Sequence, residues 1–352
     1  MTVQLAFANQ SAICTKAGAP FTGRLCALVG QRLDDSTALG ARILNWRGNP
    51  SHEGDALPLR LTGGLHALAR DGRDAAWSAV YPPSVAPDDD ALWVLLNGIL
   101  ARHGDFIAPW LDGPPQTNEV GRSAALMAGL LVLAERFGLP FETYELGASA
   151  GLNSRLDHYA HDLGGGLAGD QASKVRLRPQ WTGKVPPRSE VVIGQKHLVD
   201  LNPLDATDPQ TQARLKAYVW ADQLERLARL EAALEVAGRY PLAIAKADAA
   251  DWLEATLSTT PVAGVCRVVM HTIAYQYFPP QAQDRIRQHL DRVGRLALPD
   301  APLAWLSFEQ SERGGSERRP LLELTVWTGD AEPVTQVLAQ CQPHGAQIDW
   351  KL

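Results

Sequence analysis

The stretch Phe141–Asp157, FETYELGASAGLNSRLD, admits two incompatible readings, and the choice between them decides both fold and chemistry. It contains Gly147-Ala148-Ser149-Ala150-Gly151, which fits the G-x-S-x-G elbow that lifts a nucleophilic serine above a hydrolase sheet. It also reads as an apolar strand carrying Glu145, followed by a small-residue turn that wraps a nucleotide-like cofactor. In that reading Gly147 and Gly151 let the backbone approach a ligand where a Cβ would collide, and the amides opening the next helix, around Asn153, point at it.

The surrounding pattern separates the two. From Phe141 onward, short apolar runs alternate with amphipathic ones: EVVIGQKHLVDLNPLD precedes the long helical pattern QARLKAYVWADQLERLARLEAALEVAG, PLAIAKAD precedes AADWLEATL, and GVCRVVMHTIAY precedes QAQDRIRQHLDRVG. LNSRLDHYAHD reads as an amphipathic segment after the glycine turn, PLAWLSFEQ and PLLELTVWTG as strands, VTQVLAQC as a short helix and AQIDW as a last strand. This grammar predicts an α/β, doubly wound, mostly parallel Rossmann-like sheet over residues 141–352. Residues 1–140 read instead as a helical cap domain, with TGRLCALVGQRL, ALWVLLNGILARHGDFIAPWL and NEVGRSAALMAGLLVLAERFG at helical spacing. The last of these is expected to start near Thr117 or Asn118 and to stop at Gly138, before Pro140. The insertion at 163–190 fits the alternation least well; its KVRLR reads as a hairpin strand.

A hydrolase elbow normally follows several strands, yet the region before Phe141 reads as helix and holds no H-G-G-G-type oxyanion loop. The triad order is formally present, with Asp248 or Asp330 and then His344 downstream of Ser149. The cofactor reading draws on acids at successive strand ends. Asp200, with Asp205 as second choice, would hold ribose hydroxyls, and Asp248, followed by Ala249, would lie near an adenine amino group.

Together YELGASAG, VDLNPLD, KADAADW and VVMHTIAYQYFPP resemble the S-adenosylmethionine-dependent methyltransferases of the Rossmann-like class, over Phe141–Leu352. The combination of QTNEVGR with ELGASAGLN further resembles an uncharacterised bacterial family known as a domain of unknown function, over nearly the whole chain. The methyltransferase resemblance implies S-adenosylmethionine as cofactor, cradled by Glu145, Gly147, Ala148, Ser149, Gly151 and Asn153, with Asp200, Asp248 and Ala249 at the later strand ends. Two departures stand out: Ser149 replaces the middle glycine of G-x-G-x-G, and Asp200 follows Gly151 by 49 residues (200 − 151) where about 20 is usual. The N-P-P-Y-type motif that accompanies methylation of nucleic-acid or protein amide nitrogens is missing at the fourth strand, which points to a small-molecule acceptor.

Candidate catalytic groups follow from proton chemistry. His271 closes the apolar strand CRVVM, Tyr275 and Tyr277 follow on the adjoining loop, and Glu119 is spaced to share a helix face with Arg122. Asn118 and Arg122 are the candidate substrate contacts. His66 reads as a helix residue, and His158 with His161 as a solvated i,i+3 pair rather than a metal site. Thirty-three basic against 39 acidic residues give a net charge of −6, which supplies no global field for nucleic-acid phosphates. Cys14, Cys26, Cys266 and Cys341 show no zinc or disulfide spacing, and neither a signal-like start nor a long apolar run is present. A cytoplasmic, metal-free protein without membrane or nucleic-acid partners is expected, with a serine hydrolase at Ser149 and a non-catalytic cofactor-binding module that keeps the fold as the alternatives to the methyltransferase.

Overall fold

The computed structural model describes residues 1–311, 313, 318–329 and 332–352. It divides into two compact units: Met1–Thr117 with Asp208–Ala228, and Asn118–Thr207 with Arg229–Leu352. The division therefore falls at 117 rather than at 140, and the chain returns to the first unit once. The helix Ser123–Phe137 belongs to the sheet because it is apolar nearly all round, and a Cβ on its Gly129 would meet Leu306 at 2.6 Å.

The first unit is helical, with its longer helices at Val3–Lys16, Pro20–Arg32, Leu57–Asp71 and Asp89–Arg102. Phe7, Leu25, Leu61, Leu65, Trp77 and Leu96 fill its core. Pro20 opens the second helix, where its missing N–H costs nothing. The next two amides, of Phe21 and Thr22, donate to Asp222 from the returning segment, at 2.6 and 3.0 Å. His66 lies buried within this unit, 3.1 Å from the Ala217 carbonyl, and burial pushes its pKa down to about 4.

The described residues of the second unit form twelve strands: β1 Phe141–Leu146, β2 Ala160–Leu163, β3 Gly166–Gly169, β4 Arg176–Leu177, β5 Gln180–Thr182, β6 Ile193–Asp200, β7 Ala245–Lys246, β8 Cys266–Thr272, β9 Leu303–Gln310, β10 Pro320–Trp327, β11 Val334–Cys341 and β12 Gln347–Trp350. Nine of these, among the described residues, form one sheet in the order β5-β12-β11-β10-β9-β8-β1-β6-β7. The run β7-β6-β1-β8-β9 is wholly parallel, and β9 to β12 continue as an antiparallel wing. Side chains alternate across a strand. Tyr144, Leu146, Val269 and Leu303 therefore pack on one face with Leu253, Ile286 and Leu290, from the helices Ala249–Thr256 and Pro280–Gly294. Leu306, of opposite parity, meets Gly129 on the other face. Helices thus cover both faces of a large, mostly parallel sheet.

Four local readings are corrected. VTQVLAQC is β11, not a helix; its β-branched residues suit a strand, and Thr335 pairs with Thr325 across the ladder at 2.8 Å between hydroxyls. LNSRLDHYAHD forms a 3₁₀ turn, Asn153–His158, kinked at Arg155, before entering β2. The long helical pattern after β6 is two helices, Pro209–Ala217 and Leu224–Arg239. The insertion supplies β3 and β4, which flank β2 in a small separate sheet, and β5, which joins the large sheet beside β12. Among the described residues no helix is long and apolar enough to cross a membrane. All four cysteines are free and buried.

Candidate functional site

The carboxyl ends of β1, β6, β7 and β8 gather nearly every candidate residue. Within the turn after β1, Gly147, Ser149 and Gly151 all adopt left-handed backbone, at φ 70°, 54° and 66°. A Cβ at Gly147 would lie 2.5 Å from the Ala274 Cβ, and one at Gly151 would lie 2.7 Å from Leu198. A Cβ at either glycine would therefore collide with the protein itself. The buried Ala148 donates its amide to Val199 O at 3.0 Å, and the Ser149 carbonyl accepts from Leu204 N at 3.0 Å.

Asp200 ties this turn to β6. One carboxylate oxygen accepts the Ser149 amide at 2.8 Å, and the other accepts the Asn202 amide at 2.8 Å. Each oxygen keeps a second lone pair. Asp205 closes its own turn on Thr207. Asp248 caps the helix that Ala249 opens, accepting from Ala250 N at 2.9 Å and Asp251 N at 3.2 Å through one oxygen. Glu145, 2% exposed, accepts the Ser154 hydroxyl. Burial pushes its carboxyl up to about 7, while Ser154 and Arg155 pull down and Asp200 pushes up. Glu145 thus holds the 3₁₀ turn inside the protein instead of lining an open cradle. In contrast, the Ser149 Oγ is buried and has no hydrogen-bond partner.

The segment QTNEVGR does not start the helix; Glu119 caps a 3₁₀ turn, Val120–Arg122, and the helix begins at Ser123. Glu119 Oε1 accepts the Gly121 amide at 3.0 Å as the cap of that turn. Asn118 Oδ1 accepts the Leu152 amide at 2.8 Å, just past the glycine turn. Arg122 donates to Thr272 O at 3.0 Å and to Pro343 O at 2.9 Å. Ser123 donates to Asn153 Oδ1 at 2.8 Å, and Asn153 Nδ2 reaches Thr272 Oγ1 at 3.4 Å. This polar strap binds the ends of β1 and β8 to the turn between β11 and β12.

His271 is fully buried, with both ring nitrogens engaged. The Trp305 indole donates to its Nε2 at 2.9 Å; an indole only donates, so Nε2 accepts. Nδ1 then carries the proton and donates to Glu309 Oε1 at 2.7 Å. This geometry leaves His271 no nitrogen for a substrate and corrects its expected catalytic role. Tyr275 stacks on His271 at 4.9 Å and donates its hydroxyl to Gln283 O at 2.6 Å, so it too is committed to the scaffold. Tyr277 is 72% exposed. His158 closes the 3₁₀ turn and stacks on Tyr240 at 3.6 Å, whereas His161 sits buried in β2, 2.8 Å from Leu156 O. The two do not share a helix face. Among the described residues no group of three or more His, Cys, Asp or Glu could hold a metal ion.

The hydrolase geometry is not assembled, because no imidazole reaches the Ser149 hydroxyl. Asp248 is a helix cap, His344 faces Glu119 with Nδ1 3.7 Å from Oε2, and Asp330 lies outside the described residues.

A family model described as uncharacterized protein conserved in bacteria matches residues 4–350, spanning the strap, the glycine turn and every strand of the sheet. The chain belongs to the DUF2332 family. No curated protein and no solved structure matches it.

Sequence reasoning missed two features of this DUF2332 site. Glu309, at the end of β9, accepts amides of Ala274 at 3.0 Å, Tyr275 at 3.1 Å and Gln276 at 3.4 Å, and so shapes the loop after β8. Its signal was available, since SFEQ puts an acid at one more strand end. The second is the pairing of Glu119 with His344 and with Arg229, whose Nη2 lies 3.7 Å from Oε1. Residues so distant in sequence carry no local signal of contact.

Proposed function

We propose that the chain is a Rossmann-like S-adenosylmethionine-dependent methyltransferase acting on a small-molecule acceptor. The reading rests on one observation: the strand order β7-β6-β1-β8-β9 reverses direction between β1 and β8, and the carboxyl end of β1 there carries a left-handed turn with a buried, unpartnered hydroxyl at Ser149. Open parallel sheets bind ligands at such a reversal, outside the carboxyl ends of their strands. A buried hydroxyl without a partner costs about 1–3 kcal/mol, so its retention favours a ligand that completes it.

The residues present fit an adenosyl ligand in part. Ser149 Oγ supplies an open polar contact, and Asp200 and Asp248 retain acceptor directions beyond their backbone bonds. Glu145 and Asn153 act one layer behind, holding the turn. When bound, S-adenosylmethionine supplies a methyl group on a sulfonium, an electrophile that needs no metal. The chain's own work is then to hold the turn rigid, to orient the acceptor and to exclude water.

Calorimetry with S-adenosylmethionine and S-adenosylhomocysteine tests this reading. Saturable heat for either, weakened in Ser149→Ala, is expected; absence of heat for both at millimolar ligand removes the proposal.

A further inference from the structure

The helical unit brings together two thiols that no local spacing in the sequence announces. Cys14 lies on the helix Val3–Lys16 and Cys26 on the helix Pro20–Arg32; both are fully buried and both are free. Gly23, Cys26 and Gly30 follow at i, i+3 and i+7, so they share one face of the second helix. That face lies against the first helix. A Cβ at Gly23 would stand 2.9 Å from the Ser11 carbonyl oxygen, and one at Gly30 would stand 3.2 Å from the Gln4 carbonyl oxygen, so the backbones touch on either side of Cys26.

The same contacts fix the direction. As the second helix advances from 23 to 30, its partners on the first retreat from Ser11 to Gln4, so the helices run antiparallel. In any helix a side chain leans toward the amino end. Cys14 therefore leans toward Gln10 and Cys26 toward Thr22, which between antiparallel helices brings the two sulfurs toward each other. Gln10 Nε2 donates to the Cys14 sulfur at 3.3 Å, and the Cys26 thiol donates to it from the second helix.

These bonds make the two thiols unequal. The bond from Cys26 holds the Cys14 thiol below its ordinary value, against burial, with help from Gln10 and opposition from Asp222. Cys26, the donor of that bond and wholly buried, is pushed well above it. Cys266 and Cys341 stand apart, since burial pushes each up to about 12. The thiolate is the nucleophile, so Cys14 is the sulfur that reacts first.

We propose that Cys14 and Cys26 form a site of reversible disulfide formation driven by hydrogen peroxide, with Cys14 as the attacking sulfur and Cys26 as the resolving one. Cys14 loses its proton and its sulfur attacks one peroxide oxygen. The O–O bond breaks, the second oxygen leaves as hydroxide and takes that proton to become water, and Cys14 becomes a sulfenic acid. The Cys26 sulfur then displaces the sulfenic oxygen: the S–S bond forms, the S–O bond breaks, and the oxygen leaves as a second water carrying the Cys26 proton. Two thiols lose two electrons and one peroxide is reduced to two waters. The exposed Ala17-Gly18 turn, which closes the hairpin three residues after Cys14, is the route for so small an oxidant.

Peptide mass spectrometry of the folded full chain, alkylated before and after hydrogen peroxide, tests the assignment. Two of the four thiols are expected to be lost, with one Cys14–Cys26 cross-link that dithiothreitol reverses. Cys26→Ala is expected to accumulate a sulfenic acid at Cys14 that dimedone traps, whereas Cys14→Ala leaves Cys26 reduced. Thermal melting of the oxidised chain is expected at or above the midpoint of the reduced one. Four thiols that survive peroxide in the folded chain but not in urea, a cross-link to another cysteine, or trapping at Cys26 instead of Cys14 would each overturn the proposal. A midpoint lowered by oxidation overturns it too, because the bond would then distort the helix pair instead of joining sulfurs already placed for it.

Discussion

Trp305 donates its indole N–H to His271 Nε2 at 2.9 Å, from β9 to the adjacent parallel strand β8, and so fixes which ring nitrogen carries the proton. The protonated Nδ1 can then face only an acceptor, and Glu309 supplies it. A side chain that reads in sequence as a proton shuttle is thereby part of the framework.

Glu309 also collects the amides of residues 274–276, so neutralising it disturbs several bonds together. In Glu309→Gln the carboxamide N–H₂ must face donors. The variant is expected to lose about 2–4 kcal/mol of stability, given about 1–3 kcal/mol for each buried donor left unmatched. Urea denaturation measures this, and a loss below about 0.5 kcal/mol would show that the loop does not depend on the carboxylate.

Ser149 offers a stability test that runs opposite to its binding test. Replacing its orphaned hydroxyl in Ser149→Ala is expected to raise unfolding free energy by about 1 kcal/mol while weakening ligand binding. Ser149→Gly additionally relieves the left-handed backbone, a gain of about 1–2 kcal/mol against an entropy cost of about 0.5–1 kcal/mol. Thermal denaturation without ligand checks both. Destabilisation by the alanine would mean that the hydroxyl has a partner.

Glu145 predicts a pH dependence. Its carboxyl is pushed by burial from 4.5 up to about 7, so the folded chain binds its proton more tightly than the unfolded chain does. This contribution is fully present below pH 4.5 and is lost as pH rises through about 7, amounting to about 3 kcal/mol over that window. Glu145→Gln removes the titration. Measured by denaturant unfolding, its stability relative to the unmutated chain should rise between pH 5 and pH 7.5; a difference independent of pH rejects the assignment.

Two glycines with the same backbone sign separate strain from collision. Gly72, at φ 74°, has open space where a Cβ would go, whereas Gly147 at φ 70° faces the Ala274 Cβ. Gly72→Ala is expected to cost about 1 kcal/mol, and Gly147→Ala at least about 2–3 kcal/mol from strain plus overpacking. Equal losses in calorimetric melting would show that Ala274 yields freely.

The alternation of strand and helix was legible because each element's burial repeats within it. β8 reads as CRVVMHT because it is buried throughout, and the acids Asp200 and Asp248 mark strand ends for the same local reason. VTQVLAQC was not legible, since eight residues of mixed polarity fit either period and only the β10 ladder decides between them. The site divides likewise. The glycine turn announces itself, but the Asp200 bond to Ser149 spans 51 residues and the Glu309 bond to His271 spans 38, distances over which local pattern carries no information. The catalytic expectation for His271 failed there, because tautomer and solvent access are set by tertiary neighbours.

The return of Asp208–Ala228 to the first unit constrains how a nascent chain matures on the ribosome. The carboxylate of Asp222 that accepts the Phe21 and Thr22 amides emerges only after 200 further residues, among them the glycine turn, have been translated. A fragment cut at Thr117 leaves those two amides without that carboxylate, so neither half can be excised as one uninterrupted piece of gene.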